Sequence, residues 1–276
     1  MKRNLTVLLL ILSVFSLGYA VPQKLEDIIL REKEFQIDFI FSYNNSSFTN
    51  LVDNEVISQD TIYYLTNIRY DLTSRFEIFL FGSFVSNFIK IFNEEDLKVE
   101  TGSFHNLGPI GTGFSLQLLK ENSYPGITLS VVTNIHDRLI LGGEEKRAWF
   151  DSFSFYLSTH YTIDPVVLLI TTMYRYNRDI TIDGKTLNYG DTFFISPQFY
   201  FLANPYLSIN VGLRYIHQGK DKLDGKVIMI ERNLVGFLMG LNYEIKEGLF
   251  VAVDGEFRYR SDYSQNILNV RLTFRF

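Results

Sequence analysis

The sequence predicts an all-β fold: a transmembrane antiparallel up-and-down β-barrel of about 12 strands, with short periplasmic turns and longer extracellular loops. Three observations predict it. Twelve runs of about ten residues alternate apolar and polar side chains, which is the period of a β-strand. The connections between runs are alternately short and long, as in an up-and-down barrel. Polar residues recur on one face of neighbouring runs, which indicates a wet lumen behind a lipid-facing surface.

Residues 1–20 have the features of a cleaved signal peptide. Lys2 and Arg3 precede the apolar stretch LTVLLLILSVFSL, and the small residues Gly18 and Ala20 lie just before the expected cleavage site after Ala20. Residues 21–34 are charged and have a weak helical period. We expect them to form a segment in the periplasm or in the lumen, where they would act as a partial plug.

The barrel is predicted to occupy residues 35–276. Each run is long enough for a tilted crossing of a bilayer, which takes about 9–11 residues per strand. An even number of runs brings both ends of the barrel to the short-turn side, so that the last strand can pair with the first. The strands are expected at 35–43, 60–70, 75–86, 106–119, 126–136, 150–162, 165–177, 191–202, 205–217, 231–245, 249–260 and 266–276.

The connections between the runs follow the same order. Turn-forming residues occupy the short connections, such as DLTS at 71–74, ENSYP at 121–125 and KEG at 246–248. Longer polar stretches, such as 44–59 and 89–105, are expected to be extracellular loops.

Two features interrupt the regular pattern. Pro197 lies inside the eighth run, and because a closed barrel has no edge to accommodate proline, we expect a bulge or bend there. The sequence GPIGTG at 108–113 neither follows a strand of a βαβ unit nor opens a helix, so it does not fit a nucleotide-binding loop. A kink, or close approach of another segment inside the lumen, is the expectation for these glycines.

Charge and composition exclude several functions. The net charge of −5 gives no basic surface for nucleic acid, and the sequence has no cysteine. The four histidines are scattered without the spacing of metal ligands, and no nucleophile and base come together in the sequence. His160, for example, lacks the serine two residues later that an outer-membrane phospholipase would have. We therefore expect no metal, no cofactor and no catalytic residues, so the protein is not predicted to be an enzyme.

The alternation assigns a set of side chains to the lumen. Acidic and basic residues are both present, which is compatible with structural ion pairs or with steering of a solute. In particular, Asp254 and Glu256 are expected to face Arg271 and Arg275. The lumen-lining candidates are Asp38, Arg69, Glu77, His160, Arg175, Arg214, Glu244, Asp254, Glu256, Arg258, Arg271, Arg275, Tyr63, Tyr156, Phe194, Tyr200 and Tyr206.

Two stretches resemble a known family. YDLTSRFEIFLFGSF and LGPIGTGFSLQLLKENSYPGITLSVVTN are similar to the outer-membrane transporter family associated with the meta-pathway of phenol degradation, and together they cover about a sixth of the chain. The sequence departs from the family at 134–137, where Asn-Ile-His-Asp replaces a Pro-Thr-Gly step. The resemblance implies a passive channel for small, hydrophobic or aromatic molecules.

The sequence thus predicts a channel in the bacterial outer membrane, surrounded by lipid and passing a small-molecule solute. A non-conducting barrel that has a structural role or binds a partner at its surface is the main alternative, and an outer-membrane hydrolase is a third. The last run, NILNVRLTFRF, is expected to pair with the first, so that the sheet has no edge. Its terminal Phe276 resembles the signal read by the barrel-assembly machinery, which we expect to be a partner.

Overall fold

A computed structural model describes residues 33–50, 55–93, 98–141, 144–182, 184–204, 206–260 and 263–276. These residues form seventeen β-strands. In chain order they are β1 (Phe35–Asn50), β2 (Glu55–Thr73), β3 (Phe76–Asn93), β4 (Lys98–Leu119), β5 (Gly126–Leu141), β6 (Glu144–Trp149), β7 (Ser152–Ile163), β8 (Val166–Asn177), β9 (Ile180–Ile182), β10 (Lys185–Asn188), β11 (Thr192–Asn204), β12 (Leu207–Gln218), β13 (Asp221–Leu223), β14 (Lys226–Met229), β15 (Arg232–Lys246), β16 (Leu249–Arg260) and β17 (Tyr263–Arg275).

Twelve of these strands close into a barrel. Each pairs antiparallel with the next in the order β1-β2-β3-β4-β5-β7-β8-β11-β12-β15-β16-β17, and β17 pairs with β1. This arrangement confirms the predicted up-and-down barrel and the pairing of the last strand with the first. The predicted signal peptide, and the predicted segment 21–34 apart from Lys33 and Glu34, lie outside the described residues. In the part of the chain that is described, no helix is long and apolar enough to cross a membrane.

The barrel is apolar outside and polar inside. Along β8, Thr171 and Arg175 are buried on the inward face, whereas Tyr174 and Tyr176 are exposed on the outward face. The same alternation of buried and exposed residues runs along β7, β11 and β12. In a closed barrel every strand finds its backbone hydrogen-bond partners on neighbouring strands. An apolar exterior suits contact with hydrocarbon rather than with water. The protein is therefore built as a bacterial outer-membrane barrel.

The first four strands are longer than the sequence predicted. β1 to β4 contain 16, 19, 18 and 22 residues, and they include most of the two stretches expected to be loops. Polar side chains hold them together: Asp60 Oδ1 accepts hydrogen bonds from the Tyr43 hydroxyl (2.6 Å) and Asn45 Nδ2 (2.8 Å). Where paired strands extend past the lipid, neither of their faces has to be apolar. The alternation of apolar and polar residues therefore does not mark where these strands end.

Of the bulge or bend expected at Pro197, the bulge is wrong. The register between β11 and β12 is the same on both sides of the proline, with Ile195 opposite Tyr215 and Gln198 opposite Gly212. Pro197 has no N–H to donate across this ladder. The Ser196 hydroxyl instead donates to the Leu213 carbonyl at 3.1 Å, which satisfies the carbonyl opposite the proline without a bulge.

The expectation for the glycine-rich strand is confirmed. The register of β4 shifts against β3 near Gly82 and against β5 at Ile110, which kinks the strand. A β-carbon on Gly111 would collide with the ring of Phe81 from β3, and one on Gly113 would collide with Phe79. The glycines therefore make room for the inward aromatic rings of the neighbouring strand.

Two extracellular connections join in a small second sheet, which we call the loop sheet, formed by β14, β13, β10 and β9 in that order. Two hydrogen bonds join the connections that carry this sheet. Gly219 N–H donates to the Asp191 carbonyl at 2.8 Å, and the buried Asp221 accepts from Gly190 N–H at 2.8 Å. The connection after β8 and the connection after β12 are thereby fastened to each other.

Candidate functional site: the barrel lumen

The structure buries fourteen of the seventeen predicted lumen residues on inward faces. Glu244 and Arg275 are half-buried near the turn side of the barrel. Tyr206 was placed wrongly, because it is 60% exposed in the turn between β11 and β12. The Asn204 side chain explains this position, since its Oδ1 accepts the backbone N–H groups of Tyr206 and Leu207 and so forms a turn before β12 begins.

A group of charged side chains lies on the wall formed by β8, β12 and β16. Glu256 Oε2 accepts from Arg214 Nη1 at 2.6 Å, and Glu256 Oε1 accepts from Arg258 Nε at 2.6 Å. Arg175 extends the group from β8 and donates through Nε to Ser154 Oγ at 3.0 Å. We call Arg175, Arg214, Arg258 and Glu256 the arginine cluster. It sets three guanidinium groups against one carboxylate.

For Glu256 and Arg275, the predicted pairing across β16 and β17 differs from the structure. Glu256 binds Arg214 and Arg258, neither of which is on β17, and Arg275 lies 3.6 Å from Glu34 Oε2. Arg214 reaches over β15 to meet Glu256, because Gly236 between them has no side chain. A β-carbon on Gly236 would lie 2.7 Å from Glu256 Oε1. Glycine on β15 thus permits an ion pair between strands that are not adjacent.

A second polar group lies nearer the turn side. Asp38 accepts from Gln36 Nε2 at 3.0 Å, from Asn67 Nδ2 at 3.1 Å and from the Thr273 hydroxyl at 2.6 Å. On the neighbouring strands, Arg69 Nη2 lies 2.6 Å from Glu77 Oε2. These contacts satisfy charged side chains along the wall that joins β17 to β1, β2 and β3.

Apolar and aromatic side chains form a continuous inner patch beside the arginine cluster. The Tyr156 and Phe194 rings pack edge to face with centroids 6.2 Å apart, and the Arg214 guanidinium lies 4.9 Å from the Phe194 centroid. Met173, Ile216, Leu234 and Tyr263 complete this buried patch. These four were absent from the predicted lumen set, although the same alternation places them on inward faces.

Buried tyrosines from separate parts of the barrel interact with one shared aspartate towards the loop side. Tyr63 on β2 interacts electrostatically with Asp137 on β5 and with Tyr263 on β17. Tyr189, in the connection that leads to β11, also interacts with Asp137. All four side chains are buried. Side chains from separate parts of the barrel wall therefore approach one another at this level, which we call the tyrosine constriction.

The histidines described contact neighbouring polar or aromatic side chains. His160 Nε2 lies 3.4 Å from Glu121 Oε2, whereas Ser158 Oγ is hydrogen bonded to Thr171 Oγ1 at 3.2 Å. His105 Nδ1 contacts Ser86 Oγ at 2.9 Å on the outward face, where its ring packs against Phe88. Within the described ranges, no group of three or more histidine, aspartate or glutamate side chains is arranged to hold a metal ion.

No protein-family model matches the sequence, and no curated protein does. Solved structures are similar in fold. An outer-membrane channel from Pseudomonas putida F1 is 12% identical over 92% of this chain and 99% of its own, with a TM-score of 0.66. The transport unit of the Escherichia coli autotransporter AIDA-I is 14% identical over 98% and 96%, with a TM-score of 0.63. The CymD monoaromatic hydrocarbon channel is 8% identical over 89% and 88%, with a TM-score of 0.53. The chain thus shares the fold of outer-membrane barrels.

Proposed function

We propose that the protein is an outer-membrane channel through which small molecules diffuse passively. The observation that carries the proposal is the interior, where charged and hydroxyl side chains such as Arg214, Glu256 and Ser158 are buried inside a closed barrel. An eight-stranded barrel is filled by its own side chains, and a sixteen-stranded barrel holds an open aqueous channel. A twelve-stranded barrel between these sizes suits a narrow path, and the tyrosine constriction limits what passes.

The solutes we propose are small molecules with hydrophobic or aromatic character. The inner patch around Tyr156, Met173 and Phe194 offers aromatic faces to such a solute. The resemblance of two stretches to the phenol-pathway transporter family supports this class. The fold shared with a channel described as carrying monoaromatic hydrocarbons is compatible with it.

Conductance in planar bilayers tests the proposal. Purified protein, verified as folded by heat-sensitive gel mobility, should give small single-channel steps and should let small solutes swell liposomes. Tyr63→Ser should increase the conductance because it removes a ring from the tyrosine constriction. Tyr64→Ser is the matched control, since its side chain is 52% exposed on the outward face, and it should leave the conductance unchanged. Absence of conduction in the wild type and in Tyr63→Ser would exclude a channel and favour a non-conducting barrel.

We also propose that Phe276 is recognised by the barrel-assembly machinery. Its side chain is 73% exposed at the turn side of the barrel, where a periplasmic factor has access to it. Phe276 variants test this proposal. The fraction that folds in cells is compared with the fraction that refolds in detergent, which separates recognition by the machinery from intrinsic stability.

A further inference from the structure

The arginine cluster has more positive charge than its own acid can neutralise. Glu256 accepts from both Arg214 and Arg258. Arg175 donates to a serine hydroxyl and interacts electrostatically with Asp151, so three guanidinium groups face two carboxylates. The Tyr156 hydroxyl interacts electrostatically with both Arg175 and Arg214, so these groups surround one inward ring. A small anion that entered here would meet guanidinium groups from two directions.

One buried donor of the cluster has no acceptor. The Arg214 side chain is on a residue only 5% exposed, and its Nε has no hydrogen-bond partner among the described residues. Arg232, which opens β15 on the loop side, likewise has a buried Nε without a partner there, although its Nη2 donates to Gln218 Oε1 at 2.9 Å. A buried guanidinium donor without an acceptor is costly. A carboxylate has the geometry that a guanidinium group binds best.

Aromatic groups lie directly beside these donors. The Phe194 ring is 4.9 Å from the Arg214 guanidinium carbon and packs against Tyr156, and Arg232 lies 5.8 Å from the Tyr263 centroid. Gly236 contributes no side chain beneath the Arg214–Glu256 pair. Arg214 therefore presents a cationic donor beside a flat apolar surface, and Arg232 with Tyr263 lies further towards the loop side.

We propose that the arginine cluster and the rings of Tyr156 and Phe194 form a binding site for a small aromatic carboxylate. The carboxylate is received by Arg214, with Arg175 and Arg232 adding positive potential, and the arene packs against Phe194 and Tyr156. The inference rests on the proposed channel function and refines its solute class from aromatic molecules in general to aromatic anions. Hydrocarbons use the rings but leave the Arg214 donor without an acceptor, and the hydroxyl oxygen of an uncharged phenol is a weaker acceptor than a carboxylate.

Isothermal titration calorimetry of the folded protein in detergent, with benzoate as the probe, tests the site without requiring conduction. Benzoate should bind saturably, and more tightly than acetate, which lacks the ring, or benzyl alcohol, which lacks the charge. Arg214→Gln should weaken benzoate binding by about tenfold or more. Arg75→Gln, in an exposed turn, is the control and should bind benzoate like the wild type. Phe194→Leu should reduce the preference for benzoate over acetate.

The outcomes distinguish this inference from the channel proposal. Equal benzoate affinity in the wild type and Arg214→Gln, or equal affinity for benzoate and benzyl alcohol, would overturn the aromatic-anion site even if the barrel conducts. Tight benzoate binding by a barrel that passes no current would support the site and overturn the channel. Should Arg214→Gln fail to fold, Arg214→Lys replaces it, because it keeps the charge but removes the Nε donor, and the same loss of affinity is expected.

Discussion

Phe35 and Phe276 join the two ends of the barrel by a reciprocal pair of backbone hydrogen bonds. Phe276 N–H donates to the Phe35 carbonyl at 2.8 Å, and Phe35 N–H donates to the Phe276 carbonyl at 3.1 Å. Their rings lie 6.2 Å apart in a tilted contact. Residues 36–48 of β1 continue the same seam against β17. The closure of the barrel therefore extends to the last residue of the sequence.

Phe276→Ala should weaken this seam. The substitution keeps the backbone hydrogen bonds but removes the ring contact with Phe35, which is worth about 1 kcal/mol for an aromatic pair. The free energy of unfolding in urea, measured for protein folded in detergent or lipid, should fall by that amount. Phe276→Tyr keeps the ring and is expected to match the wild type. Equal stability of Phe276→Ala and the wild type would show that the ring does not contribute to closure.

The sequence predicted the barrel because lipid and lumen impose a regular alternation. The strand predicted at 165–177 begins and ends within one residue of β8, since inward Arg175 and Asn177 alternate with outward Tyr174 and Tyr176 at its loop end. The ends of β1 to β4 could not be predicted in this way, because those strands continue past the lipid, where both faces are polar. The predicted inward position of Tyr206 was wrong for a related reason. The alternation was extended into a turn that the Asn204 side chain forms.

The lumen contacts depend on register, which alternation does not fix. Alternation correctly placed Arg214, Glu256 and Arg258 on inward faces, but it could not say that Arg214 reaches Glu256 across an intervening strand. That contact requires β12, β15 and β16 to align so that Gly236 falls between the two charges. The sequence did show a glycine, Gly236, on an inward face next to strands with charged inward residues. Which charged residues it separates became clear only once the strands were paired.

Gly236→Ala should destabilise the barrel. The added methyl group would lie 2.7 Å from Glu256 Oε1 and 3.2 Å from Arg258 Cγ, so the Arg214–Glu256 pair would have to move. Overpacking of this kind costs about 1–3 kcal/mol, measurable by urea unfolding. Gly102→Ala is the matched control, since nothing lies within 4 Å of the position of its β-carbon. Similar effects at both glycines would contradict the role given to Gly236.

Substitutions of Ser196 and Pro197 should have coupled effects on the free energy of unfolding. Ser196→Ala removes the hydroxyl that satisfies the Leu213 carbonyl, and a carbonyl left unpaired away from water costs about 2 kcal/mol. Pro197→Ala restores an N–H opposite that carbonyl, so Ser196→Ala should cost less in the Pro197→Ala background. Unfolding free energies of the two single variants and the double variant form the test. Additive effects would show that the hydroxyl does not replace the missing proline donor.

The loop sheet should lose stability as the pH rises, because of Asp221. Burial raises the pKa of Asp221 above its ordinary value, although Arg232 and the hydrogen bond from Gly190 N–H oppose that shift. A carboxyl group whose pKa is raised by folding binds its proton more tightly in the folded state. Below the unfolded-state pKa both states are protonated and ionisation costs nothing. As the pH rises from there through the folded-state pKa, stability falls, and the loss is complete above it.

Hydrogen exchange at the Gly190 amide provides the measurement, because this amide donates to Asp221 Oδ1 at 2.8 Å. After correction for intrinsic exchange rates, its protection should decrease from mildly acidic to neutral pH. Asp221→Asn keeps the acceptor oxygen and removes the charge, so its protection should be independent of pH and higher than the wild type at neutral pH. Tyr189 also interacts with Asp221, and burial raises its pKa far above neutral, so it stays uncharged throughout the titration. A pH dependence that persists in Asp221→Asn would assign the effect to another group.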